Sequence, residues 1–209
     1  MFDFLSSFLA LIESVPAWLR NLLAGVAIML ETSIFLGLVM PGDTVVLVAS
    51  TGVTDWPDFF FLLIAVLIGS LVGESIGFAV GRFFGPRLRV SKLGLRIGEK
   101  NWRAADQLVA KRGGIAIFIS RFLPVLHSTV PAVAGMTKMP YRIFISWTFV
   151  ACAIWASLYV GVGYLARTSY DQLSGDLRIA TLVGIGILLV FLVLVAISKK
   201  VLSRMHTDS

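Results

Sequence analysis

The sequence predicts an all-α integral membrane protein, an inverted repeat of two re-entrant helical hairpins, each followed by a transmembrane helix. An N-terminal interfacial helix and a C-terminal transmembrane helix complete it. Three observations predict this. The 209 residues are 57% hydrophobic and 14% charged, with a mean hydropathy of +0.90, whereas soluble domains average about 25% charged residues. Two apolar segments, 22–53 and 115–136, are interrupted by proline and carry ionisable groups at membrane depth. The positive charge is uneven, with nine of the eighteen Lys and Arg falling between Arg82 and Arg112. The length fits a single membrane domain over residues 1–209.

Residues 1–15 begin MFDFLSSFLALI, with Phe2, Leu5, Leu9 and Ile12 at helical spacing; the run is too short to span, so it is expected to lie in the interface. It carries Asp3 and Glu13 and no Lys or Arg, so the positive n-region of a secretory signal is not expected. The first repeat covers 17–84. Its segment 22–53 is long enough to cross, but Glu31 interrupts it and Pro41, Gly42 and Asp43 break it, predicting two half-helices. The acidic TDWPD loop, 54–58, suits the outer face. Residues 59–84 then cross, with Gly69, Gly73, Gly77, Gly81 and Gly85 at four-residue intervals. Such a stripe lets another backbone approach closely, within one subunit or between copies in a homo-oligomer.

Residues 85–112 are expected to form a basic cytoplasmic loop. Its stretch 98–111 is patterned as an amphipathic surface helix, with Trp102 and Leu108 on lipid or protein. The second repeat, 113–167, holds the broken segment 115–136 and the span 144–165, where Ala153, Ser157 and Gly161 repeat the small-residue spacing. A polar loop at 168–178 leads to the span 179–198 and a basic tail with Lys199, Lys200 and Arg204.

Parity then separates crossings from hairpins. If the basic segment and the basic tail are both cytoplasmic, an even number of crossings lies between them. Spans 144–165 and 179–198 contain neither proline nor charge and are the two crossings. Segment 115–136 must therefore enter and return on the cytoplasmic side. The first half echoes it: Pro41 precedes Gly52 by eleven residues, and Pro124 precedes Gly135 by eleven. Segment 22–53 runs into the acidic loop and is expected to dip in from outside, so the two tips meet near the midplane, where inverted repeats place their substrates.

Five ionisable groups fall at that depth: Glu31, Asp43, Glu74, Arg121 and His127. Arg121 at mid-depth costs about 3 kcal/mol on insertion scales, so it requires a protein-lined or wet cavity and a partner of opposite charge. A guanidinium grips a phosphate bidentately, which a lysine cannot. Glu31 and Asp43 are expected to balance Arg121 when no anion is bound, and to take up a proton when an anion competes for it. Glu74 is either a third proton site or a hydrogen-bond acceptor between helices. His127 is a second protonation switch, being of the residue type whose charge changes near neutral pH, or a capping or loop-stabilising imidazole. Pro41, Gly42, Gly52, Gly73, Gly77, Gly81, Pro124, Pro131 and Gly135 are the expected hinge and packing positions. The lone Cys152 excludes an intrachain disulfide and a CxxC metal site. The absence of a phosphate-binding loop and of HExxH leaves an ATP-driven pump and a zinc hydrolase without a motif, and no GxSxG supports a hydrolase built on His127 with Ser128 or Asp43. No metal, cofactor or nucleic acid is expected; the basic cluster lies between apolar segments.

At these residues the chain resembles the DedA family of membrane proteins with a VTT, or SNARE-associated, domain. The matching stretches are ETSIFLGLVMPGD with VVLVASTG, GSLVGESIGFAVGRFFG, and FISRFLPVLHSTVPAVAG. The resemblance implies opposed re-entrant hairpins and lipid translocation in the bacterial inner membrane, with undecaprenyl phosphate the carrier lipid moved by similar members. Others are linked to phospholipid scrambling and to proton-dependent membrane homeostasis. It implies that Glu31 and Asp43 are the essential acidic pair and Arg121 the first essential arginine. His127 replaces the second arginine, so a charged contact with phosphate there needs a protonated imidazole. Phe78 stands where a tyrosine is common. The expected function is thus a lipid-phosphate flippase or scramblase and not an enzyme. A proton-coupled exporter of a small ion, a phospholipid scramblase, a lipid phosphatase and a non-transporting scaffold are the alternatives.

Overall fold

The computed structural model describes residues 12, 14–33, 42–123 and 126–172. Most of the predicted interfacial helix, the hinges Pro41 and Pro124, and the span 179–198 lie outside the described residues. Those described form α1 (Ala17–Ser33), α2 (Gly42–Ser50), α3 (Trp56–Arg89), α4 (Lys92–Ile97), α5 (Glu99–Arg112), α6 (Gly114–Ser120), α7 (Leu126–Met136) and α8 (Tyr141–Gln172), with no strand among them.

Helices α3 and α8 are long and apolar enough to cross a membrane. Asp55 caps α3, its side chain accepting from the Asp58 amide at 2.8 Å, and Pro57 sits in the first turn, where a missing N–H is harmless. The helix continues through Pro86 to Arg89, five residues beyond the predicted end at 84, and Arg87 and Arg89 complement its negative terminus. Helix α8 likewise runs from 141 to 172 and takes in part of the predicted polar loop. Phe60, Phe61, Ile64, Ile68 and Val72 of α3, and Phe149, Val150, Ile154 and Leu158 of α8, face outward. Water tolerates no such continuous apolar face on a monomer, whereas lipid does.

The glycine stripe of α3 is divided between two partners. A methyl group on Gly69 would run into the Gly25 carbonyl of α1, and one on Gly73 would sit 2.5 Å from the Met29 oxygen. At Gly81 it would overlap the Ala132 backbone of α7, and at Gly85 the Met136 side chain. Gly77 lies at the junction, with the Thr32 oxygen at 3.4 Å and the Pro131 Cβ at 3.6 Å from such a methyl. Helix α1 therefore rides on the first half of α3 and α7 on the second, both parallel to it. The predicted stripe on α8 is different. Ser157 points outward and Gly161 has nothing within 4 Å among the described residues, so spacing alone misplaced the contact; α8 meets α2 closely at Gly163 instead.

Helix α2 returns antiparallel along α1. At one end the Asp43 amide donates to Glu31 Oε2 at 2.8 Å; at the other, Arg20 donates to the Gly52 carbonyl. Arg20 also forms a buried ion pair with Asp58 of α3, and Asn21 donates to the same carboxylate at 2.9 Å. Sequence reading assigned Asp58 to an outer loop; the structure makes it the anchor of the first helical pair. Arg20→Leu is expected to lower unfolding free energy in detergent by about 3–5 kcal/mol, because it leaves the Asp58 carboxylate buried without a counter-charge, held by Asn21 alone. An unchanged denaturation midpoint would show that the pair does not hold this end.

The basic segment is helical rather than a loop. Gly98, at φ +84°, makes the corner between α4 and α5 in a conformation that favours glycine. Trp102 and Leu108 face protein, and Trp102 Nε1 donates to the Gly94 carbonyl at 3.0 Å. Arg89 pairs with Glu99 at 2.9 Å and Asp106 at 3.0 Å, and hydrogen bonds from Arg89 and Arg103 hold the Glu99 carboxyl below its ordinary range. Segment 115–136 resolves into α6, a turn at Arg121, and α7. Pro131, expected as a break, lies within α7, its ring against the glycine groove of α3.

Two apolar cores result. Ala24, Ile28, Val46, Leu62, Val66 and Val160 build one; Phe78, Trp102, Ile117, Leu126, Val133 and Phe144 build the other. A layer of charge lies between them.

Candidate functional site

Arg121 follows the last residue of α6, where the chain turns through bonds from the Phe122 amide to the Ile119 carbonyl and from the Leu123 amide to the Ser120 carbonyl. Its side chain crosses to the middle of α3. Nη1 donates to Glu74 Oε1 at 3.1 Å and Nη2 to Ser70 Oγ at 3.4 Å. Glu74 and Ser70 are one turn apart and so share a face of α3. The guanidinium carbon stands 4.1 Å from the Trp155 ring centre of α8, a cation–π contact strengthened by burial. Arg121 is 5% exposed, yet its Nε has no hydrogen-bond partner among the described residues. Cys152 completes the carboxylate's surroundings, its thiol donating to Glu74 Oε1 at 3.6 Å.

A second pair lies beside the first. His127, near the start of α7, places Nε2 3.7 Å from Glu31 Oε1, an ion-pair distance once the imidazole is protonated but too long for a hydrogen bond. The other Glu31 oxygen is held by the Asp43 amide. Asp43 is in electrostatic reach of His127, Glu31 and Arg121. All five ionisable groups picked from the sequence thus converge, drawn from α1, α2, α3, the Arg121 turn and α7.

Their pairing departs from expectation. The direct counter-charge of Arg121 is Glu74, not Glu31 or Asp43. Glu74 faces the Arg121 turn across α3, while Glu31 is turned toward the Asp43 amide and His127. Of the expected packing positions, Gly73, Gly81 and Gly135 make backbone contacts too close for a side chain, whereas Gly77 has room for a methyl. Gly42 lies beneath Glu31 and Ala27, and Gly52 beneath Arg20 and Ile12. Sequence reading missed Ser70, Trp155 and the Arg20–Asp58 pair. Ser70 had a usable signal, its four-residue spacing from Glu74; Trp155 had none, since only the packing of α8 brings it under the guanidinium. Among the described residues no group of three or more His, Cys, Asp or Glu is placed to hold a metal ion.

Outward-facing apolar helices around a buried charged layer define an all-helical membrane protein with an internal polar site. The VTT domain family matches residues 32–165, and the chain belongs to that family, the DedA proteins. The match takes in Asp43, Glu74, Arg121 and His127 and begins one residue after Glu31. Protein DedA of Escherichia coli is 29% identical over 142 residues, 66% of this chain and 64% of that protein; the chain thus spans just under two thirds of its length. A Mycobacterium tuberculosis protein named as an uncharacterized membrane protein is 32% identical over 165 residues, 75% of this chain and 73% of that one. An alkaline phosphatase-like protein of Lactococcus lactis is 31% identical over 139 residues, 64% of this chain and 65% of that one. No solved structure matches the chain.

Proposed function

We propose that the protein carries the phosphate head group of a lipid across the bacterial inner membrane, the hydrocarbon tail remaining in lipid. The observation that carries this reading is the buried Arg121 guanidinium, midway along two helices of membrane-crossing length and matched by a single carboxylate oxygen. A permanent cation is kept at such depth for an anionic ligand or an ion pathway. The contacts of α1–α2 with the first half of α3 and of α7 with the second half support two hairpins that dip in from opposite faces. Thr32 of α1 and Pro131 of α7 come together over Gly77. The basic end, Arg82 to Arg112, then lies in the cytoplasm. Undecaprenyl phosphate is the substrate that the family resemblance favours. As the phosphate engages Arg121, Glu31 or Asp43 takes up a proton, and His127, protonated, supports the head group.

The test is flux of a polyprenyl monophosphate across vesicles containing the purified protein. Arg121→Ala is expected to reduce the rate at least 100-fold, and Arg121→Lys by about tenfold, since a lysine is a point charge without the bidentate fork. Wild-type flux from Arg121→Ala would sink the proposal. Release of free phosphate, measured in the same vesicles, would instead indicate a phosphatase, the activity that the lactococcal relative's name invokes.

A further inference from the structure

The guanidinium of Arg121 offers two hydrogen-bonding edges, and the protein occupies them unequally. Nη1 is engaged by Glu74. Nε and Nη2 share the side edge, the one that grips oxyanions in parallel bonds. Among the described residues Nε is buried without a partner, and Nη2 reaches only the Ser70 hydroxyl at a long 3.4 Å. A buried donor left unpaired in a folded protein calls for a reason.

Ser70 supplies a second, independent sign. Ser50, Ser75, Ser120 and Ser146 each donate to a carbonyl three or four residues back in their own helix. That is the ordinary resting place of a helical hydroxyl. Ser70 is fully buried and makes no such bond among the described residues; it only accepts, from Arg121. Its own proton is therefore available to a further acceptor on the same edge.

We propose that the Nε and Nη2 edge of Arg121 and the Ser70 hydroxyl form the seat of a tetrahedral oxyanion of the phosphate-monoester class. Ser70 donates to one oxygen of the anion, and Arg121 grips it side-on. Glu74 stays on Nη1 as a positioning residue that, with the Trp155 ring beneath, keeps the side edge turned toward Ser70. The seat rests on the reading of Arg121 as the anion-binding group and adds a contact residue to it. It also implies that binding need not break the Arg121–Glu74 pair.

Calorimetric titration of the purified protein in detergent tests this, with farnesyl monophosphate, inorganic phosphate and farnesol as probes. Farnesyl monophosphate is expected to bind and farnesol not to. Comparable binding of inorganic phosphate would identify free phosphate as a ligand of the seat; its failure to bind would identify a lipid head group. Ser70→Ala is expected to weaken farnesyl monophosphate binding about tenfold, the effect of losing one hydrogen bond to a charged group, while the melting temperature without ligand stays unchanged. Wild-type affinity in Ser70→Ala would overturn the seat and leave the transport reading standing. A loss of affinity accompanied by a lower ligand-free melting temperature would make Ser70 a packing residue and overturn it too. If the wild type binds no phosphate probe, the seat and the transport reading fall together.

Discussion

Arg121→Met is expected to destabilise the purified protein by about 3–5 kcal/mol, because it leaves Glu74 buried with no cation beside it. Glu74 is 3% exposed, and its other hydrogen-bond donor is the Cys152 thiol, a weak one. The double variant Arg121→Met/Glu74→Gln removes both charges and keeps an acceptor for Cys152. It is expected to recover most of the lost stability, since replacing both members of a buried pair is far milder than removing one. Vesicle flux is expected to stay absent in the double variant, which separates loss of the anion site from loss of the fold. Denaturant unfolding in detergent provides the stabilities. If Arg121→Met unfolds at the wild-type midpoint, Glu74 does not depend on Arg121 and the charge layer is not organised around their pair.

The second large effect concerns one substitution made at two glycines. Gly81→Ala is expected to lower stability by about 1–3 kcal/mol, because the new methyl meets the Ala132 backbone and backbone cannot step aside as a flexible side chain can. Gly161→Ala meets nothing within 4 Å among the described residues and is expected to be neutral or to gain up to about 1 kcal/mol from better helix propensity. Thermal unfolding of the two variants side by side gives the comparison. Gly81→Ala is also expected to reduce flux, since α7 carries His127 and a shift of α7 along α3 lengthens the gap to Glu31. Equal midpoints for the two variants would mean that α7 is not seated in the glycine groove.

Much of the site was readable before any coordinate. Arg121, Glu74 and Glu31 stand out because an ionisable side chain within an apolar run is expensive wherever the run folds, so its presence is informative without its partner. Proline and glycine marked the broken segments for a similarly local reason. The same locality misled at Ala153, Ser157 and Gly161, whose spacing equals that of the α3 stripe, although Ser157 is exposed and the other two are only half-buried. It misled again at Pro131, which the groove of α3 accommodates within α7. Arg20 and Asp58, separated by thirty-eight positions, carried no mark of partnership at all.

The sequence by itself determined the class of protein, the two broken segments and the set of charged groups, because hydropathy, backbone restriction and the cost of burying charge act on each stretch independently. Only the tertiary structure decided who pairs with whom: Glu74 with Arg121, Glu31 with His127, Asp58 with Arg20. Those choices depend on the rotation and register of one helix against another. Here both are set where α1 and α7 settle into opposite halves of a single glycine groove, a contact between segments far apart in the chain.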